Sequence, residues 1–528
     1  MRVAEPALRT LADVVERNAR LHGEAVFQVF GERRQTFRDY ATRAKKLASA
    51  LHADGLKVQD RIGLLGMNCA EYLEIYGVGE VAPFVVAPVN FRLAPPEILY
   101  ILRDSAPTVL FFEKHYEGTI AALREQIPSV RRYICFGGTA PEWAEDYESW
   151  VARGSAEGPR LEVLPEHLHA IVYTSGTTGR PKGAMTTHAA FLALGRDWAR
   201  ELSADAGDRI LLCMPFFHVG ARSQGYALTC VGGTMVILRA FDPKVILETI
   251  ERERITQLHL APTLVQQVLD YPGQEQYDLS SLKTVNYAAA PMPYTVLQRA
   301  LRRFGPIMIN GFGQTEGAGC VLKKVYHRPD GDARDLKRLT SVGQATTGTQ
   351  VAILDENDCE VATGTIGEIC FRTPTVMSGY WNNAVASVET LRNGWLHTGD
   401  VGYMDEEGFV YLADRKKDMI VSGGENVYSR EVEEALMSHP AVQDVAVIGV
   451  TDPKWGEAVL GVIVLKAGHV ATADELTRHC RDFIAGYKCP KRCEFIDQLP
   501  RLPSGKINKV ELRQRYASAS QLDAVRAP

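Results

Sequence analysis

The sequence predicts an α/β protein: a large region of layered α/β sheets, a β-rich stretch after it, and a small α+β unit at the end. Three observations predict this. Through the first 260 residues, short and wholly apolar runs alternate with amphipathic helical stretches, as sheets covered on both faces require. From about residue 340 the strands shorten and are parted by Gly, Asp and Asn, the texture of antiparallel sheet. After Arg415 a helix, two strands and a second helix fit into about a hundred residues. The chain has 528 residues, room for three or four units at ~150 residues each. Hydrophobic residues make up 46% and charged residues 23%, ordinary globular usage that excludes wholesale disorder.

The elements follow in order. Thr10, three residues before Asp13, sets a helix N-cap, and Leu11, Val14 and Val15 begin an apolar stripe that stops near Gly23. Phe37, Tyr40, Ala41, Ala44, Leu47, Ala48 and Leu51 recur at three and four, one face of a helix closed by Gly55. Strands buried on both faces are expected at 62–65, 84–87, 108–112, 171–173, 235–238 and 257–260. VAILDEND, GEICFR and GFVYLADR read as the shorter strands of the β-rich stretch. A helix at 430–438 stopped by Pro440, strands at 443–450 and 459–465 and a helix at 473–485 make the final unit. There is no internal repeat, and the last residues read as a frayed tail.

Charge and composition narrow the function. Lys plus Arg number 59 against 64 Asp plus Glu, a net −5, so no global field attracts nucleic acid and any polyanion must be held locally. The N-terminus has scattered charges and no apolar h-region, so no secretory signal is expected. Residues 210–238 are apolar, but Arg222 and Gly220, Gly225, Gly232 and Gly233 interrupt them, against a membrane span of ~20 residues. The cytoplasm is the expected compartment. Ten cysteines are too dilute for a disulfide framework, and Cys489 with Cys493 lacks a second pair at zinc spacing, so no structural zinc is expected.

The densest chemistry lies in Tyr173 to Gly183, YTSGTTGRPKG, between a strand and a helix. Gly176 and Gly179 let the backbone approach a ligand closely. Thr174, Ser175, Thr177 and Thr178 offer hydroxyl donors and Lys182 a charge, a set suited to triphosphate oxygens. It is not the G-x-x-x-x-G-K-[ST] loop. A generic surface turn would not concentrate three glycines, five hydroxyls and a lysine in this way.

This string resembles the phosphate-loop signature of the adenylate-forming superfamily, which contains acyl-CoA synthetases, adenylation domains of peptide synthetases and beetle luciferase. Five more strings stand in that family's order: NGFGQTE (Asn310 to Glu316), TGD (Thr398 to Asp400), DRKKD (Asp414 to Asp418), SGGEN (Ser422 to Asn426) and PSGK (Pro503 to Lys506). The chain is most similar to a bacterial-type acyl- or aryl-CoA ligase. The resemblance implies an N-terminal adenylation domain over 1–416 with its β-rich subdomain at about 340–412, a hinge near Lys417, and a small mobile C-terminal domain over 417–528. It also implies the chemistry: ATP and a carboxylate give acyl-AMP and pyrophosphate, and the acyl group passes to a thiol, with ATP, Mg2+ and coenzyme A as cofactors.

The roles carried over are specific. Glu316, alone a solvated carboxylate, resembles the magnesium ligand, a hard oxygen donor, and Thr315 the α-phosphate contact. Asn310, Gly311 and Phe312 would hold adenine, Phe312 by stacking where a tyrosine is commoner in the family. Asp400, alone a turn residue, would accept both ribose hydroxyls, and Arg415 would contact the same sugar. Lys506, alone a solvated charge, would meet carboxylate and phosphate as charge builds up in the adenylation transition state. It acts there as a cation, the carboxylate nucleophile being ionised already. His218, in LLCMPFFHVGA, would gate or orient the carboxylate between the nucleotide and acyl pockets.

For the second half-reaction, the family is thought to rotate its C-terminal domain, bringing Gly424 to line a pantetheine tunnel that a Cβ would narrow. Trp455 could stack on the CoA adenine. Lys488, Lys491 and Arg492 supply phosphate-pairing charge, and Arg92, in PVNFRL, matches a CoA-phosphate contact of aryl-CoA ligases. A solvated basic face is the alternative reading of this cluster. The acyl pocket is expected from Phe217, Gly225, Tyr226, Ala288, Ala289, Gly311 and GAGCV from Gly317. So many small residues leave room for an aromatic, phenylpropenoic or medium-chain acid in preference to acetate. Arg222 would pair either a second substrate carboxylate or, preferably, an internal acid.

The function expected is therefore an ATP-dependent acid–thiol ligase with a small carboxylic acid and CoA as partners, no nucleic acid, and a homodimer as one assembly open to it. Alternatives are acyl transfer to a separate carrier protein, a luciferase-like oxygenation, and a nucleotide-binding regulator without catalysis, the last opposed by the presence of both Lys506 and Glu316.

Overall fold

A computed structural model describes residues 8–174, 181–290, 292–415, 418–422, 425–452, 455–502 and 506–516. By internal contacts the chain divides into two compact units, Met1–Val351 with Phe371–His397, and Ala352–Cys370 with Thr398–Pro528. The hinge position expected at Lys417 lies outside the described residues.

The larger unit starts with the capped helix that its sequence announces. In α1 (Leu11–Leu21) the Thr10 hydroxyl accepts from the Asp13 amide at 3.2 Å, and the Asp13 carboxylate accepts from the Thr10 amide at 2.8 Å. α2 (Phe37–Ala53) repeats the device with Thr36 and Asp39, so each helix satisfies two otherwise orphaned amides. α3 (Ala70–Val81) is buried on nearly every side, Glu74 and Glu80 included. A helix enclosed all round has no polar face to give it a period.

Two sheets follow. The first has seven strands in the order Glu145–Asp146, Arg132–Phe136, Val109–Glu113, Arg61–Leu65, Val85–Val89, β1 (Leu168–Thr174) and β2 (Lys182–Thr187). Every pairing is parallel except the β1–β2 hairpin, whose ladder ends with Thr174 opposite Lys182. α4 (His188–Glu201) leaves β2 and packs against α5 (Val219–Val231). The second sheet has nine strands in the order Arg33–Thr36, Val26–Phe30, Thr234–Ile237, Arg209–Leu212, Gln257–Leu260, β3 (Thr284–Ala288), β4 (Met308–Gln314), β5 (Gly317–Leu322) and Gln344–Ala345. Its centre is parallel and its edges are antiparallel hairpins. The expected apolar runs are all strands here, 257–260 with unchanged bounds and the others with bounds that shift by one to three residues. Residues 210–238 become a strand, α5 and a strand, and among the described residues no helix is long and apolar enough to cross a membrane.

Inside this unit Arg222 of α5 is paired internally. Its Nη2 donates to Glu80 Oε1 of α3 at 2.7 Å, Tyr40 Oη donates to Glu80 Oε2 at 2.7 Å, and the guanidinium lies 4.4 Å from the Tyr76 ring centre. Both charges are buried. Arg222 is committed to this internal pair, so it is not available to a second substrate carboxylate.

The β-rich stretch forms a four-stranded sheet in the order Gln350–Leu354, Gly367–Arg372, β6 (Leu396–Met404) and β7 (Val410–Arg415). The last part of the chain builds a second sheet on the antiparallel pair Val442–Asp452 and Gly456–Leu465, with Arg492–Phe495 added in parallel. The helices Ser429–Met437 and Ala473–Arg481 share its apolar core through Val432, Leu436, Leu476 and Cys480. The latter stops four residues short of 485, where Phe483 N and Ile484 N both turn to the Cys480 carbonyl.

Candidate active site

The NGFGQTE string is a tight hairpin. β4 and β5 pair with Gln314 opposite Gly317, so Thr315 and Glu316 form a two-residue turn. The ladder shifts register after Phe312, and a Cβ on Gly313 would stand 2.7 Å from Ala318, so the close approach of the two strands requires glycine there. Asn310 and Phe312 are half-buried, and the Phe312 ring meets Phe371 edge-on at 5.8 Å.

Glu316 is only 8% exposed, and its carboxylate is held by a residue that the sequence did not single out. Tyr380 Oη donates to Glu316 Oε1 at 2.5 Å, and the Glu316 carbonyl accepts from Met377 N at 2.8 Å. Residues 377–381 run along the outer edge of β2: Ser378 N donates to Met185 O, Met185 N to Gly379 O and Trp381 N to Gly183 O. Gly379, at φ +130°, provides the bend. Lys182 Nζ lies 5.2 Å from the Tyr380 ring centre, a cation over an aromatic face. Burial, and then the Glu316 charge, raise the Tyr380 hydroxyl well above the ordinary tyrosine range, so it stays a donor. Glu316 and Lys182 thus meet on one tyrosine. Thr174 lies opposite Lys182 in the β1–β2 ladder, while Ser175, Gly176, Thr177, Thr178 and Gly179 lie outside the described residues. Tyr173 Oη donates to Asp104 at 2.6 Å, and Trp381 Nε1 donates to the Asp104 carbonyl at 2.9 Å, anchoring β1 and the segment 377–381 to one helix end.

His218 is the N-cap residue of α5, half-buried, with its ring 4.3 Å from that of Phe217. Phe217 is buried and edge-on to Phe91. Ala288 stands opposite Gly311 in the β3–β4 ladder, and Ala289, at φ +75°, is exposed beyond it. Gly225 and Tyr226, expected as pocket walls, turn instead into the packed interior. A Cβ on Gly225 would meet Met235 at 2.8 Å and Leu212 at 3.0 Å, and the Tyr226 ring is buried 5.1 Å from Phe191. Gly317 is small because Leu396 sits on it, 2.7 Å from where its Cβ would be.

In the smaller unit Asp400 and Arg415 stand opposite each other in the β6–β7 ladder. Asp400 is buried, and its amide donates to the Thr398 hydroxyl at 3.0 Å. Lys506 is exposed, and its carbonyl accepts from Leu502 N at 2.7 Å. Of the basic cluster, Lys488 pairs with Glu431 and Arg492 with Glu494, each at 2.7 Å, while Lys491 Nζ lies 5.5 Å from the exposed Trp455 ring. Arg92, in the larger unit, lies over Phe91 at 5.4 Å, and burial lowers its pKa. Gly424 lies outside the described residues.

A family model described as AMP-binding enzyme matches residues 15–381, and one described as AMP-binding enzyme C-terminal domain matches residues 431–506. The chain belongs to this family. The AMP-binding enzyme is similar to feruloyl-CoA synthase of an Amycolatopsis species, 38% identical over 95% of this chain and 98% of that one. It is 35% identical to indoleacetate–CoA ligase of Aromatoleum aromaticum over 96% and 98%. Among solved structures, anthranilate CoA ligase AuaEII in complex with anthranoyl-AMP superposes with a TM-score of 0.88 at 27% identity, over 99% of this chain and 100% of that one. The enzyme is an ATP-dependent acid–CoA ligase that works through an acyl adenylate, with ATP, Mg2+ and CoA as its cofactors.

The donor set suits magnesium. Glu316 is a carboxylate whose Oε1 is fixed by Tyr380 and whose Oε2 takes no hydrogen bond from the described residues, leaving one oriented hard oxygen. Tyr380 carried no signal at the sequence level. It stands in SGYWNN, an irregular segment 64 residues from the carboxylate it holds.

Proposed function

We propose that the enzyme activates an aromatic or phenylpropenoic acid, with medium-chain acids as second choice, and that the residues named above divide the work between two half-reactions. The observation that carries the residue assignment is the meeting of Glu316 and Lys182 on Tyr380. It brings the hairpin turn and the end of the phosphate loop to one place, where a polyphosphate would find a placed cation beside an oriented carboxylate. The aromatic preference is supported by the small residues Ala288 and Gly311, side by side in the sheet. Relatives of nearly full length named for ferulate and indoleacetate support it as well.

In the first half-reaction a carboxylate oxygen of the acid attacks the α-phosphorus, a P–O bond forms, and the bond to pyrophosphate breaks. Magnesium, held through Glu316, neutralises phosphate charge when bound. Lys182 and Thr315 contact the phosphates, Lys506 offsets the negative charge that grows on the pentavalent phosphorus, and His218 orients the carboxylate. Asn310 and Phe312 hold the base, and Asp400 with Arg415 the ribose. In the second half-reaction the CoA sulfur attacks the acyl carbon as thiolate, the C–S bond forms, and AMP leaves with the C–O electron pair. Gly424, Trp455 and Lys491 serve that step, with Lys417 as the pivot between the two. Lys488, Arg492 and Arg92 are secondary here, the first two already being paired with acids.

Mass spectrometry of the enzyme with MgATP, CoA and a mixture of benzoic, cinnamic and aliphatic acids tests this reading. Aromatic acyl-CoA as the main thioester is the expected result. Aliphatic thioesters alone would overturn the aromatic preference, AMP without thioester would point to a different acceptor, and no ATP turnover would favour a non-catalytic nucleotide binder.

A further inference from the structure

We propose that Trp198 of α4 is the floor of the acyl pocket and sets the length of acid that the enzyme accepts, an inference that rests on the ligase reading above. The ladder puts Ala288 opposite Gly311 and Gly311 opposite Val321, so these three share one face of the β3–β4–β5 sheet. Asn310 and Phe312 point to the other face, where Phe312 meets Phe371. The two tasks assigned to β4 therefore fall on opposite sides of one strand: base on the Phe312 side, acyl group on the Gly311 side.

On the Gly311 side the covering group is an indole. A Cβ on Gly311 would stand 2.3 Å from Trp198 Cη2 and 3.0 Å from Cζ2, so the ring lies directly on the main chain of β4. Trp198 also packs against the buried cluster of Phe191, Leu194 and Tyr226, so α4 and α5 hold the ring in place on β4. It is only partly buried, unlike its helix neighbours Asp197 and Ala199. Trp198 itself lines a cavity of about 10 Å3 together with Leu194, Asp197, Cys320, Val321 and Thr346, room for about one water. An acid that reaches Gly311 ends on the ring. One methylene too many against such a wall costs roughly 10- to 200-fold in kcat/KM.

The test compares wild type with Trp198→Ala and Trp198→Phe on two series, benzoate to 5-phenylpentanoate and butanoate to dodecanoate, reading pyrophosphate release and thioester. Wild type is expected to lose about tenfold or more in kcat/KM at one step of each series. Trp198→Ala should move that break at least two carbons longer and Trp198→Phe by less, with KM for ATP unchanged in both. If Trp198→Ala does not fold, the smaller shift in Trp198→Phe decides. Wild type that forms thioesters while the variants keep its length profile overturns the role of Trp198 and leaves the ligase reading standing. Absence of thioester from every acid in wild type overturns both.

Discussion

Tyr380→Phe removes one oxygen and nothing else from the candidate site. The ring stays, and with it the contact to Lys182, so the substitution isolates the hydrogen bond to Glu316 Oε1. Both partners are buried, Tyr380 at 7% and Glu316 at 8% exposure, so water does not replace the lost donor. A hydrogen bond to a charged group contributes about 1.5–3 kcal/mol, which corresponds to roughly 10- to 150-fold in rate. The loss should fall on adenylation, because Glu316 is assigned to the magnesium that accompanies ATP. The assay is pyrophosphate release with acid saturating and Mg2+ varied, beside calorimetric binding of MgATP and thioester formation from supplied acyl-AMP. The expected result is a loss of that size in adenylation, a higher half-saturating Mg2+ and weaker MgATP binding, with transfer from acyl-AMP retained. Adenylation within about twofold of wild type across the Mg2+ titration would refute the positioning role. Equal loss of both half-reactions would mean general damage and refute it as well.

Three further outcomes are expected. Lys506→Ala should abolish acyl-AMP formation while leaving CoA transfer from supplied acyl-AMP largely intact, and equal loss of both halves would remove Lys506 from the adenylation step. Stacking of a base on an aromatic ring contributes about 1–3 kcal/mol, so Trp455→Ala should raise KM for CoA at least about fivefold with KM for ATP unchanged; an unchanged KM for CoA would take the ring out of CoA binding. Burial lowers His188 to about 3 and His259 and His327 to about 4, from an ordinary value near 6.5. Because the unfolded chain then binds more protons, their stabilisation is complete above pH 6.5 and is lost as pH falls toward those values. By pH 5.5 each has cost about 1.4 kcal/mol, so Tm should drop by several degrees between pH 7.5 and 5.5, and a flat Tm would contradict their neutral burial.

How far the sequence could be read depended on how locally each feature is determined. Thr10 and Asp13 cap a helix with their own side chains, and the apolar runs at 62–65 and 257–260 need only be buried on both faces, so these features were visible. α3 was not, because Tyr72, Ile75, Tyr76, Glu74 and Glu80 are all buried and leave no periodic face. The nucleotide strings were legible because they are short and contiguous. What holds them in place was not: Tyr380 and Lys182 meet across nearly two hundred residues of chain, and Lys488 finds Glu431 57 residues away. Gly225 and Tyr226 were expected in the acyl pocket, but the turn of α5 carries them onto Met235, Leu212 and Phe191. Nothing in the sequence singles out Trp198, because its place on Gly311 is set by tertiary packing.

The pair between Glu80 and Arg222 couples the history of two distant stretches of chain. α3 packs on strands of the seven-stranded sheet as well as on Val26–Phe30 of the nine-stranded one, α5 packs on strands of the nine-stranded sheet, and each carries half of a buried ion pair. A fragment holding only one of these helices would have to enclose an uncompensated charge, a loss of about 3–5 kcal/mol, so the two sheets are obliged to fold as one cooperative body. The same arithmetic governs descent. Two apolar side chains could replace the pair at little cost, but every single-step route passes through an intermediate with one stranded charge, so positions 80 and 222 are expected to change together or not at all.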